Sequence, residues 1–121
     1  MTDDGLLAEL TAVSPAFSTQ WRLIAETYPE SKPATLSDAL LDLNSYLLGL
    51  VSKDRRHELG PLLGAVERCY QAGSPSQRNR LRDWLLQPLH EACADGGLDP
   101  AVFLAHLGPQ SRAVWTEFDR A

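Results

Sequence analysis

Nowhere in this sequence do apolar and polar residues alternate over the length of a half-buried strand. No apolar run approaches the ~20 residues that a membrane-spanning helix needs. The first absence leaves helices as the building elements, and the second excludes a transmembrane helix. Cysteine is scarce: Cys69 and Cys93 are the only two, too few for a disulfide framework. Both stand among apolar neighbours in helical stretches, where a free cysteine behaves as a small hydrophobe, and a reducing cytoplasm is the expected compartment. The opening Met1-Thr-Asp-Asp-Gly5 is acidic where a secretory signal is basic. There is no Cys-x-x-Cys or His-x-x-x-His pair, no Gly-rich phosphate loop and no Gly-x-Ser-x-Gly elbow. On these absences no catalytic residue, metal ligand or cofactor is assigned.

What is present suffices for one folded domain over residues 1–121. Hydrophobic residues make up 44% of the 121 positions, near the globular average, and a chain of this length buries roughly two-thirds of the surface its unfolded form exposes. Charge is unevenly placed around a net −5. Residues 1–47 hold seven acids and two bases, residues 48–90 four acids and seven bases, and residues 91–121 five acids and two bases. An acidic total argues against general nucleic-acid binding, which runs on phosphate neutralisation.

Helical spacing runs through nearly the whole chain. Leu6, Leu7 and Leu10 predict a short first helix beginning after Gly5. Ser14-Pro15 is a helix start, and Phe17, Trp21, Ile24 and Tyr28 then make one buried stripe that Pro29 stops. After a loop at 29–35, Thr35 and Asp38 have capping-box spacing. Leu36, Leu40, Leu43, Leu47 and Leu50 form a coiled-coil-like seam, with Asp38, Asp42 and Asn44 expected to face outward. A fourth helix to about Ala72 turns Leu59, Leu62, Leu63, Val66 and Tyr70 inward, and Gly60-Pro61 marks either a kink or its start. Gly73 ends it. Ser74-Pro75 begins a fifth, with Leu81, Trp84, Leu85, Leu89 and Ala92 inward, a bend at Pro88 and a stop at Gly96-Gly97. Asp99-Pro100 opens a short sixth helix, Gly108-Pro109 breaks it, and Val114, Trp115 and Phe118 belong to a last one. The expected fold is an all-α, single-domain bundle of about six or seven helices with short connections. The fourth and fifth helices, with Arg78 and Arg82 soon after the turn, resemble a HEAT-type helical hairpin, although one pair is not a solenoid.

Several groups of residues invite a chemical reading. His90 and Cys93 share a helix face and are both zinc-ligating types, but a closed site takes four ligands, so a half-buried histidine beside a core cysteine is the favoured reading. As a nucleophile either cysteine is badly placed, near a helix C-terminus whose dipole disfavours a thiolate. Asp38 and Asp42 read as a solvated face rather than as paired catalytic carboxylates. Arg78, Arg80 and Arg82 are the least ordinary charges, because they crowd a helix N-terminus where cations are disfavoured. They pair with acids such as Asp83, Glu67 or those of the first third, which is the favoured reading. The other is that, with Arg55 and Arg56, they form an anion-binding surface.

The stretch from Phe103 to Trp115 is a helix, a glycine stop and a proline-started helix, with Ser111 and Arg112 in the new first turn and Trp115 as a core anchor. Leu107, Gly108, Pro109, Ser111, Arg112 and Trp115 resemble the C-terminal Leu-Gly-Pro-x-Ser-Arg-x-x-Trp signature of an uncharacterised bacterial family of small helical domains. Val66-Glu67, Gly73 and the Arg-bearing helix extend the similarity over about residues 55–118. The resemblance implies a helical fold and no reaction. By analogy, small acidic helical families of this type look like accessory or toxin-immunity proteins. The expected function is a non-enzymatic, cytosolic protein-binding domain, monomer or homodimer. Its most concrete form is an immunity- or antitoxin-like protein in which Glu26, Glu30, Asp38 and Asp42 cover a basic surface of a toxin or effector. The alternative is a nucleic-acid-binding or regulatory accessory protein using Arg55, Arg56, Arg78, Arg80 and Arg82.

Overall fold

Four of the helices start where a side chain accepts one of the N–H groups that a first turn leaves free. In a computed structural model, which describes residues 1–120, α1 (Asp3–Ala12) begins at Thr2, whose Oγ1 accepts from Gly5 N at 2.9 Å. That cap places the start upstream of the Gly5 expected from the leucines. α2 (Pro15–Ala25) begins at Ser14, whose Oγ accepts from Phe17 N at 3.2 Å. α3 (Leu36–Ser52) carries the full capping box of Thr35 and Asp38. A 3₁₀ turn (Arg56–Glu58) feeds α4 (Leu59–Ala72), so Pro61 lies in a first turn and marks a start rather than a kink. α5 (Pro75–Leu81) opens with a second capping box, between Ser74 and Gln77.

α5 continues through a π-helical segment (Arg82–Leu86) into α6 (Gln87–Gly96). Pro88 accounts for the change of register. It has no N–H to offer the carbonyl of Trp84, and the backbone widens so that Gln87 N donates to Arg82 O, five residues back. The wider turn shifts the helical phase. Leu85 and Leu86 both face the core, whereas Trp84, expected inward, is 43% exposed. α7 (Ala101–Leu104) and α8 (Pro109–Arg120) follow, and no strand occurs among the described residues. Gly73 ends α4 in an extended rather than a left-handed conformation; a Cβ there would stand 2.7 Å from the Cys69 carbonyl oxygen.

α3 lies at the centre and packs against α1, α2, α5, the π segment and α6. Its seam, Leu36, Leu40, Leu43, Leu47 and Leu50, is buried inside the chain and is not open to a second copy. Because α3 is covered on several sides, Asn44 is buried as well, and Asp38 and Asp42 are half-buried, contrary to the outward placement expected of all three. α2 stops at Ala25, leaving Tyr28 beyond the helix and half-buried. α8 packs on α4, α6 and the π segment, with Trp115 fully buried against Phe103. The acidic start of the chain docks on its basic middle: Asp3 pairs with Arg80 and Glu9 with Arg68.

Candidate functional site

α4 turns two buried polar side chains toward α8, Glu67 and Tyr70, which are 7% and 3% exposed. Glu67 is fully engaged. Its Oε1 accepts from Ser111 N and Ser111 Oγ, both at 3.0 Å, and its Oε2 accepts from Gln110 N at 3.2 Å and Gln71 Nε2 at 3.4 Å. A carboxylate from another helix therefore caps the N-terminus of α8, where free N–H groups and the helix dipole favour negative charge. Pro109 opens that helix with no N–H of its own to satisfy. Gly108 makes room for the carboxylate, since a Cβ there would overlap Cγ and Cδ of Glu67. Arg112 reaches back, Nη2 donating to Leu104 O at 2.7 Å, and so closes the end of α7. Gly108, Pro109, Ser111, Arg112 and Trp115 thus each hold α8 in place.

Tyr70 is the opposite case. Its hydroxyl is sealed from solvent and, among the described residues, has no hydrogen-bond partner. Tyr70 lines a groove of about 350 Å³, with Arg78, Asn79 and Arg82 from one helical segment and Gln110, Val114 and Glu117 from α8. Burial holds the phenol well above its ordinary range, so at neutral pH the group is a proton donor. Both arginines are fixed through Nε. Arg78 Nε donates to the Tyr70 carbonyl and Arg82 Nε to Asp83 Oδ1, each at 2.8 Å. Among the described residues the terminal nitrogens of neither arginine have a hydrogen-bond partner.

This arrangement divides the arginine cluster. Arg78 and Arg82 share the groove. Arg80 turns away and donates from Nη1 to Asp3 Oδ2 at 2.8 Å, Arg55 donates to Glu58 Oε2 at 2.8 Å, and Arg56 lies exposed in the 3₁₀ turn. The acids that pair with the cluster are Asp83 and Asp3, not Glu67. Hydrogen bonds from Gln77 and then Arg80 hold Asp3 below its ordinary value. The spacing carried part of this, since positions 78 and 82 share a helix face that 80 does not. Tyr70 read only as core, and Asn79, Gln110 and Glu117 were not singled out.

The predicted acidic contacts are also split. Glu26 and Glu30 are exposed at the end of α2 and in the loop beyond. Asp38 Oδ2 accepts from Thr35 N at 2.8 Å, and Asp42 Oδ1 accepts from Gln20 Nε2 at 3.0 Å, with burial raising the Asp42 carboxyl. His90 Nε2 donates to Asp119 Oδ1 at 2.7 Å, and its ring packs on Trp115 and Phe118. Cys93 and Cys69 are buried. Burial, then the charge of Glu9, pushes the Cys69 thiol up to about 11; burial and Asp99 raise Cys93. Among the described residues no group of three His, Cys, Asp or Glu side chains is placed to hold a metal ion. None of the described helices is long and apolar enough to cross a membrane.

Residues 7–120 match the family described as a domain of unknown function, DUF7674, and the chain belongs to that family. No curated protein and no solved structure matches it.

Proposed function

We propose that this DUF7674 domain is a non-enzymatic protein-binding module of the bacterial cytoplasm, and that it takes an acidic segment of its partner in the groove between α5 and α8. The observation that carries this reading is the arginine pair. Arg78 and Arg82 line the groove, fixed through Nε, with their terminal nitrogens unengaged, which suits end-on contact with carboxylates. Cytoplasm rests on the two free, buried thiols, and bacterial origin on the C-terminal motif. A protein fits this surface better than a nucleic acid. Arg55 and Arg80 are paired elsewhere and Arg56 lies in the 3₁₀ turn outside the groove, so no stripe of cations tracks a phosphate backbone. The test is recovery of the partner from the native cell, starting with the product of the adjacent reading frame, followed by binding isotherms with purified components. Arg78→Glu with Arg82→Glu is expected to weaken the complex by at least about tenfold and to reduce its salt dependence. Unchanged affinity and salt dependence would overturn the reading.

A second reading has its own observation. Leu23 is 59% exposed, one turn before the exposed Glu26, with Glu30 following in the loop. An apolar anchor followed by two acids suits a basic partner surface, the arrangement of an immunity- or antitoxin-like protein, although the exposed Arg22 stands beside it. Asp38 and Asp42, already bonded within the chain, add less to such a contact. Glu26→Lys with Glu30→Lys would weaken that complex; if affinity does not move, this second surface is ruled out.

A further inference from the structure

Resting on that reading of the groove, we infer that its Tyr70 end is a carboxylate-binding subsite. There the Tyr70 hydroxyl and the terminal nitrogens of Arg78 and Arg82 bind one acidic side chain of the partner. A buried hydroxyl with no acceptor is a costly arrangement in a folded protein, and such groups are few. This one belongs to a residue that lines the groove but is covered in the free protein, so an incoming acceptor satisfies it once the side chains over it shift. Among the described residues two other buried side-chain atoms lack partners, Asn44 Oδ1 and Asp42 Oδ2. Both are acceptors, and neither residue lines the groove.

Tyr70 also sets the position of one of the cations. Its carbonyl accepts from Arg78 Nε at 2.8 Å, so the main chain of the residue whose side chain lacks a partner anchors the guanidinium above it. With Nε taken, Arg78 meets a ligand through its terminal nitrogens, and Arg82 is prepared in the same way by Asp83. The charge of the site selects the ligand. Among the lining residues two arginines face one acid, Glu117. Asp83, outside the lining, pairs with Arg82, so the charges around the site balance, and a carboxylate monoanion is better matched there than a phosphate dianion.

The test is NMR of the full chain carrying ¹³Cζ-labelled tyrosine. It has three tyrosines, and Tyr70→Phe assigns the relevant signal by removing it. The chain is titrated separately with a capped, glutamate-rich peptide, inorganic phosphate and a single-stranded oligonucleotide. The expected result is saturable peptide binding that shifts the Tyr70 signal and weakens about tenfold in Tyr70→Phe, with phosphate and oligonucleotide binding more weakly than the peptide. Arg78→Gln with Arg82→Gln is expected to lose at least as much. Tyr70→Phe removes only a hydroxyl that is unpartnered in the free protein, so an unchanged melting temperature serves as its folding control. Peptide binding that leaves the Tyr70 signal still and is equal in Tyr70→Phe overturns the subsite. If it nevertheless falls in the arginine variant, the groove survives as a partner surface. No peptide binding, or tighter binding of phosphate or oligonucleotide, overturns the carboxylate assignment; the partner isotherms decide the broader reading separately.

Discussion

Glu67 and Tyr70 stand three residues apart on α4, both buried and both turned toward α8, yet their polar atoms meet opposite surroundings. Glu67 accepts four hydrogen bonds from Gln71, Gln110 and Ser111, while the Tyr70 hydroxyl has no partner. The first arrangement is what burial of a charge requires, because a carboxylate taken out of water needs its lone pairs satisfied. It fixes where α8 begins. The second leaves an unmet demand at the floor of a groove, which contributes nothing to holding the helices together. The contrast separates residues that hold the fold from residues left free to meet a ligand, within a single turn of one helix.

Substitutions that break the satisfied side should have the largest effect. Gly108→Ala drives a methyl group into Glu67 and forces the carboxylate off the start of α8. A loss of about 3 kcal/mol is expected, read as a lower urea midpoint at unchanged slope. Glu67→Gln keeps the shape but removes the charge and sets an amide N–H against donors of α8; about 1–2 kcal/mol should be lost in the same assay. On the other side, Tyr70→Phe removes a hydroxyl that makes no bond. At neutral pH stability should stay level or rise by less than about 1 kcal/mol. A loss as large as that of Glu67→Gln would mean that the hydroxyl is satisfied in the free protein and would erase the contrast.

Alkaline titration sharpens the same point. Burial raises the Tyr70 phenol above its ordinary 10.0, so as pH climbs past that value the unfolded chain gives up its proton while the folded chain keeps it. Stability should therefore fall with pH above about 10. Cys69 adds to the fall between its ordinary 9.0 and about 11. Tyr70→Phe should lessen the slope above pH 10 and leave in place the shares of the thiols and of Tyr46, whose phenol is raised by burial and by Glu58, as measured by denaturant unfolding across the pH series.

Charge distribution follows a similar division. The acidic first third and the basic middle read as two separate partner surfaces. In the folded chain Asp3–Arg80 and Glu9–Arg68 join them, and Asp38 and Asp42 find partners nearby. Among the described charged groups left free are the terminal nitrogens of Arg78 and Arg82 beside the groove, and Glu26 and Glu30 at the end of α2 and in the loop beyond. Of the residues around the groove, the arginines were visible as an odd cluster at a helix start. Tyr70 was visible only as one more inward aromatic, because periodicity reports that a side chain is buried and not whether its polar atom is bonded.

By itself the sequence determined the helices, the serine and threonine caps that start three of them, the glycine and proline stops, and the leucine seam of α3. Those features depend on neighbours within a turn or two, where capping and a 3.6-residue period act. Trp84 was the local failure, since the π register at Pro88 changes the very period on which its placement relied. Only the tertiary structure decided that Glu67 caps α8 by accepting from the N–H groups of Gln110 and Ser111, 43 and 44 positions away. It also decided that Arg80 leaves its neighbours for Asp3, and that the Tyr70 hydroxyl is left unpaired beside two arginines. Hydrogen-bond satisfaction depends on which surfaces packing brings together, and no local pattern carries that information.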